Sequence, residues 1–89
     1  MPLYVRTLLV TGPEDQVGPA AERHREHLRA LHRAGKLHLA GELARGDGFV
    51  EILDLADLHE AGTVARSSPL VEDGLAAWTI REWTPLNFD

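Results

Sequence analysis

Between Ala20 and Gly41 the chain reads AAERHREHLRALHRAGKLHLAG, a pattern of one amphipathic helix, a glycine stop and a strand. At 100° per residue, Val17, Ala21, His24, Leu28, Leu31 and Gly35 fall on one stripe, and Glu22, Glu26, Arg29 and Arg33 fall opposite. A helix with one apolar stripe needs a surface to lie on, so the remaining segments must supply a layer that it covers. Gly35 suits the position after the helix because it takes a positive φ without a Cβ clash. Arg33 and Lys36 place positive charge near the negative end of the helix dipole. Pro19 disfavours helical geometry at Gly18, which sets the expected start near Pro19 and leaves Thr11 to Gly18 as a loop.

His24 stands near the centre of this stripe, where packing alone would select leucine or alanine. A buried imidazole has to find partners for its nitrogens. One role is a core histidine bonded to a backbone carbonyl, or one facing a subunit interface. The other is a general acid or base in a pocket between helix and sheet. His27 and His32 lie about 80° and 60° off the stripe, as boundary residues with a solvent-exposed edge. His24 and His27 have the i,i+3 spacing that can bring two imidazoles to one metal. The chain has no cysteine and no HExxH pattern, and His38 and His59 are distant in sequence, so no metal is expected.

The other segments read as strands and a second helix. Leu3 to Val10 alternates, with Tyr4, Arg6 and Leu8 on one face and Leu3, Val5, Thr7 and Leu9 on the other. Leu37 to Leu43 is a second strand, with Leu37, Leu39, Gly41 and Leu43 expected to share a face. The turn ARGDG leads back into Phe49 to Leu55. There the apolar face of Phe49, Leu53 and Leu55 is interrupted by Glu51, a carboxylate that fits a sheet edge or interface, or the lining of a pocket. Asp57 with Glu60 forms a capping box ahead of a helix whose stripe is Leu58, Ala61, Val64 and Ala65. Ser67, Ser68 and Pro69 end that helix, and LVEDG forms a short helical turn closed by glycine. Leu75 to Trp83 is the last strand.

The order strand, helix, strand, strand, helix, strand, with right-handed crossovers, predicts an α+β fold. Its four-stranded antiparallel sheet carries two helices on one face. The other face is expected to bear Tyr4 or Val5, Val50 or Phe49, Trp78 and Ile80, enough apolar surface to call for a homodimer through that face. Eighty-nine residues make one domain, residues 1–89, with a core small enough to gain from oligomerisation.

Composition removes several function classes. The formal charge is −5, and the basic residues from Arg23 to Arg45 alternate with Glu22, Glu26 and Glu42 without aromatic residues between them. No nucleic-acid partner is expected. No stretch reaches the ~20 apolar residues that span a bilayer, and MPLYVRTLLV lacks the layout of a signal peptide. No membrane partner is expected, and the cytoplasm is the default location. GPEDQVG fits neither the Walker nor the dinucleotide glycine pattern, and no cofactor is expected.

These segments together resemble the YciI-related (YCII-like) family of small dimeric ferredoxin-like proteins, relatives of muconolactone isomerase. In that family the first helix carries a histidine and a leucine, then H-x-x-G-(K/R)-L and a strand ending A-G. This chain has His24, Leu28, His32, Gly35, Lys36, Leu37, Ala40 and Gly41. The family's D-P-(F/L)-V-x-x-G-L is matched by Ser68, Pro69, Leu70, Val71, Glu72, Asp73, Gly74 and Leu75, and the aromatic that closes its last strand by Trp83. The resemblance implies a dimeric α/β-barrel arrangement and a histidine–aspartate dyad for acid–base chemistry. His24 matches the histidine, but the aspartate position holds Ser68, which adds no charge to an imidazolium. Asp73 and Glu51 are the carboxylates available as substitutes, and Arg6 is the group suited to a substrate carboxylate.

Two functions follow as expectations. One is a cofactor-independent isomerase or lyase acting on a small cyclic or aromatic acid, with His24 and Ser68 catalytic and Arg6, Glu51 and Asp73 binding substrate. The reaction type comes from the resemblance alone. The other is a non-catalytic dimer that binds a small organic acid or serves as an accessory to another protein, a role favoured by serine in the aspartate's place.

Overall fold

Leu3–Val10 pairs along both backbone edges with other strands, so the first segment of the chain becomes an interior strand. The structure, a computed structural model, describes residues 2–88. Its elements are β1 (Leu3–Val10), α1 (Glu14–Arg33), β2 (Leu37–Glu42), β3 (Gly48–Asp54), α2 (Leu58–Arg66), α3 (Pro69–Glu72) and β4 (Ala76–Trp83). The sheet order is β2-β3-β1-β4, and every adjacent pair is antiparallel. This is the expected βαββαβ arrangement, with α3 as a single turn between α2 and β4.

The helices cover the face that presents Tyr4, Arg6 and Leu8 from β1 and Phe49, Glu51 and Leu53 from β3, all buried. One apolar cluster joins Leu8, Ala20, Leu28, Phe49, Leu70 and Leu75; another joins Tyr4, Leu53, Leu55, Ala61 and Val64. The buried polar residues lie on this same covered face.

Helix ends follow local chemistry. After α1 and again after α3, a glycine at positive φ (Gly35 at 76°, Gly74 at 69°) closes a Schellman motif. Its bonds run from Gly35 N to His32 O and Lys36 N to Leu31 O, and from Gly74 N to Val71 O and Leu75 N to Leu70 O. Asp57 caps α2 by accepting from the Glu60 N–H at 2.8 Å, and Glu60 Oε1 returns to the Ala56 N–H at 3.0 Å.

Four expectations are corrected. Helix α1 starts at Glu14, with Pro19 inside it. Gly18, having no Cβ, relieves the clash that a proline imposes on its predecessor, and Pro19 lies on the exposed side, where the freed carbonyl can meet water. Leu37 and Leu39 do not share a face: a register shift between them sets Leu37 opposite Leu53 and Leu39 opposite Ile52. Leu58 is exposed because it begins α2 beyond the sheet. Trp78 and Ile80 lie on the helix side, packed against the two clusters, so the open face is instead Val5, Thr7, Leu9, Val50, Ile52, Leu39, Ala77, Thr79 and Arg81.

Among the described residues no helix is long and apolar enough to cross a membrane.

Candidate functional site

Arg6 at the middle of β1 and Glu51 at the middle of β3 are partners in the sheet register, and both side chains rise toward the helices. Arg6 Nε donates to Glu51 Oε1. Arg6 Nη1 donates to the Val64 carbonyl at 2.8 Å, in the last turn of α2, where the helix dipole is negative. His24 descends from α1 and meets the other carboxylate oxygen, Nε2 to Glu51 Oε2 at 2.6 Å. Its Nδ1 lies 2.8 Å from Ser68 Oγ. Ser68 is the N-cap of α3, and its Oγ also accepts from the Leu70 N–H at 3.2 Å.

Arg6, His24, Glu51 and Ser68 are all fully buried. The partners suggest which group donates and which accepts. A carboxylate held by a guanidinium accepts only, so the Nε2–H of His24 donates to Glu51. Nδ1 is then an acceptor for the Ser68 hydroxyl. The charges of Arg6 and Glu51 offset each other inside the desolvated site. The result is a donor chain from Ser68 through His24 to Glu51, anchored by Arg6. An imidazole so held has a fixed tautomer and a carboxylate ready to stabilise its protonated form, the two requirements of a proton-transfer histidine.

Two rings flank His24. Phe49 lies 4.6 Å away between centroids, tilted by 56°, and the Arg25 guanidinium sits 5.9 Å from the Phe49 ring. His27 lies 5.7 Å from His24. Burial and the nearby positive Arg6 push the His27 pKa down to about 4. On the surface, Arg25 Nε donates to Glu42 at 2.7 Å, which holds the Glu42 carboxyl below its usual range.

Of the five sequence candidates, four meet in one cluster. Asp73 does not: it follows α3 on the surface, where Arg23 Nη2 donates to it at 2.8 Å. Glu51 lies neither at an edge nor at an open face, because β3 is an interior strand and the helices cover its side chain. The carboxylate that Arg6 binds is the protein's own. His24 is bonded to side chains, not to a backbone carbonyl. His27 received little weight in the sequence, yet its Nε2 is buried beside the cluster. Its i,i+3 relation to His24 was the available signal. A pocket of about 360 Å³ on the open sheet face is lined by Val5, Thr7, Thr79, Arg81, Glu82 and Trp83, and one of about 390 Å³ beside α1 by Leu28, Arg29, His32, Arg33 and Leu37. Neither touches His24 or Ser68. Among the described residues no group of three His, Asp or Glu side chains is placed to hold a metal.

The sequence pattern of the YCII-related domain matches residues 6–84, which span every residue of this cluster. The chain belongs to the YCII-related family. No curated protein matches the sequence. Among solved structures, the fold is similar to the 5-chloro-2-hydroxyhydroquinone dehydrochlorinase of Burkholderia phenoliruptrix AC1100, determined with 2,5-dihydroxybenzoquinone. The likeness has a TM-score of 0.75 at 18% identity and covers 92% of this chain and 93% of that one. Within this YCII-related chain, the position matched to the family aspartate holds Ser68, which bonds Nδ1 of His24. The carboxylate of Glu51 reaches the imidazole from strand β3 and on the other nitrogen.

Proposed function

We propose that this YCII-related protein is a cofactor-independent proton-transfer enzyme of the isomerase or lyase type, acting on a small hydroxylated aromatic or cyclic acid, with His24 as the proton carrier. The observation that carries this reading is the placement of both imidazole nitrogens: Nε2 on Glu51 at 2.6 Å and Nδ1 on Ser68 at 2.8 Å. In a turnover, Ser68 passes a substrate proton to Nδ1, and Glu51 stabilises the imidazolium until the proton is returned. Arg6 stays paired with Glu51 and holds its carboxylate in place. Because the four residues are buried, substrate reaches His24 only through a local opening of the structure. The test is turnover on a panel of chlorinated hydroxyhydroquinones, muconolactone-type lactones and hydroxybenzoates. His24→Asn should cost on the order of 10²–10⁴-fold in kcat. Activity retained in that variant refutes the role of His24.

Full burial of the cluster favours a second reading, in which Arg6, His24, Glu51 and Ser68 form an internal network of a non-catalytic protein that binds a small ligand or partner. On this reading His24→Asn alters stability and leaves ligand affinity unchanged.

Either protein is best completed by a second copy across the open sheet face. Leu9 is 49% exposed and Leu39 65% exposed on that face, and Val5, Val50 and Ile52 lie between them in the register. Pairing of two such faces would remove this apolar surface from water.

A further inference from the structure

The pocket of about 360 Å³ on the open face of the sheet takes no part in the His24 cluster. It is lined by Val5 and Thr7 from β1 and by Thr79, Arg81, Glu82 and Trp83 from β4. Small-molecule sites occupy about 300–1,000 Å³, and this volume falls among them. Strand pairing sets Thr7 opposite Thr79, Val5 opposite Arg81 and Leu3 opposite Trp83. Alternation along β4 then brings Thr79, Arg81 and Trp83 to one face, in steps of about 7 Å. Two hydroxyls therefore stand at one end of the pocket, a guanidinium and the Val5 side chain in the middle, and an indole at the other end.

Arg81 is exposed and, among the described residues, has no ion-pair partner. Two carboxylates lie in the neighbourhood, and neither pairs with it. Glu82 follows Arg81 in the strand, so its side chain leaves on the opposite face, where the register sets it beside Tyr4. Asp54 lies across β1 from Trp83, two strand spacings or about 10 Å away. An unneutralised guanidinium calls for an anion, and its planar fork matches a carboxylate best. The hydroxyls of Thr7 and Thr79 can donate to the same group. Val5 and Trp83, the latter 41% exposed, add an apolar wall that a bare inorganic anion would leave unused, and an indole stacks well on a flat ring. Of the apolar residues proposed to pair with a second copy, only Val5 lines the pocket; Leu9, Leu39, Val50 and Ile52 do not.

We propose that this pocket binds a small aromatic monocarboxylate, whose carboxylate accepts from Arg81 and from the Thr7 and Thr79 hydroxyls while its ring lies against Trp83 and Val5. The site goes beyond both readings of the His24 cluster and rests on neither. The sheet itself separates the two: Arg6, between Val5 and Thr7 in β1, points to the covered face and to Glu51. A ligand held on the open face does not present its atoms to the imidazole, so this is a site of binding and not of turnover. A neutral amide of the same shape keeps the ring contact but brings no charge. It also turns N–H donors toward Arg81, which can only donate.

The experiment is a ¹H–¹⁵N NMR titration of the full chain with benzoate and, separately, with benzamide. It follows the two indole N–H groups, Trp78 on the helix side and Trp83 in the pocket. Benzoate should move the Trp83 resonance, leave that of Trp78 in place and bind at least ~10-fold more tightly than benzamide, the effect of one charge-assisted hydrogen bond. Arg81→Gln should abolish that preference, and Arg81→Lys, which keeps the charge without the fork, should restore part of it. Arg33→Gln, in the pocket beside α1, should bind as the parent does. Equal binding of benzoate and benzamide, or a preference unchanged in Arg81→Gln, overturns the site. Benzoate binding lost in Arg33→Gln overturns it as well, by placing the anion beside α1. A Trp83 resonance that benzoate leaves in place, in a chain that sediments as a dimer, assigns the pocket to the second copy and equally overturns it.

Discussion

Arg6 and Glu51 occupy opposed positions in the β1–β3 register, and their ion pair is enclosed on the helix-covered face of the sheet with both side chains at zero exposure. Each therefore depends on the other for its charge to be tolerated. Glu51→Gln should destabilise the fold by about 3–5 kcal/mol, because it leaves a buried guanidinium without a counter-charge. The combined Arg6→Met, Glu51→Leu protein should recover most of that loss. Urea denaturation of Arg6→Met, Glu51→Leu and the double variant measures the coupling; additive losses would show that the pair is not the relevant unit.

Ser68→Asp keeps an N-cap on α3 while presenting a carboxylate to Nδ1 of His24. With acceptors on both sides, the imidazole should carry a proton on each nitrogen at neutral pH. The ¹⁵N shifts of His24 report this directly, and a single-protonated ring in the variant would show that residue 68 does not reach it. Helix α3 itself should persist, since aspartate accepts from the Leu70 N–H as serine does.

His27 gives the protein an acid sensitivity with a defined window. In the folded chain it stays neutral down to about pH 4, whereas the unfolded residue takes up its proton near the ordinary 6.5. Between those values the unfolded state binds more protons, so stability falls as pH falls from 6.5 toward 4. Chemical-denaturation midpoints across this range should decline in the parent. His27→Gln should flatten the decline; an equal slope in the variant would assign it to other groups.

The two faces of the sheet separate core packing from the surface proposed to pair with a second copy. Trp78→Ala should cost about 3 kcal/mol, the low end for truncating a packed aromatic, because the indole packs under the helices. Leu9→Asp combined with Leu39→Asp should leave the fold intact and shift sedimentation toward a monomer. A sedimentation profile unchanged at low micromolar concentration would exclude the open face as an interface.

The fold was legible because it is written in short-range patterns. The alternation in Leu3–Val10, the stripe of α1, the Asp57 cap and the glycines at residues 35 and 74 each act over a few positions. His24 and Ser68 were visible too, one as a polar residue in an apolar stripe and the other through the family motif. Which carboxylate, Glu51 or Asp73, meets His24 was not, because it depends on which strands become interior and on a register set across 45 residues between Arg6 and Glu51. The faces of β2 and β4 were misread for related reasons. A one-residue bulge inverts the alternation after Leu37, and aromatic content alone did not tell which side of β4 the helices would cover. His27 is half-buried, in keeping with a boundary position, while the burial of its Nε2 had no signal in the apolar stripe of the helix.

Antiparallel strands of alternating character carry a standing hazard during folding, since a slip of one residue exchanges the two faces. In β3 most neighbours would tolerate such a slip in part, as Val50 and Ile52 are as apolar as Phe49 and Leu53. Glu51 would not. A slipped β3 turns its carboxylate to the open face and brings Arg6 and His24 under the helices with Val50 or Ile52 as their neighbour. The buried charges thus penalise every misaligned pairing that the hydrophobic residues alone would accept, so that the same cluster that positions an imidazole also proofreads the assembly of the sheet beneath it.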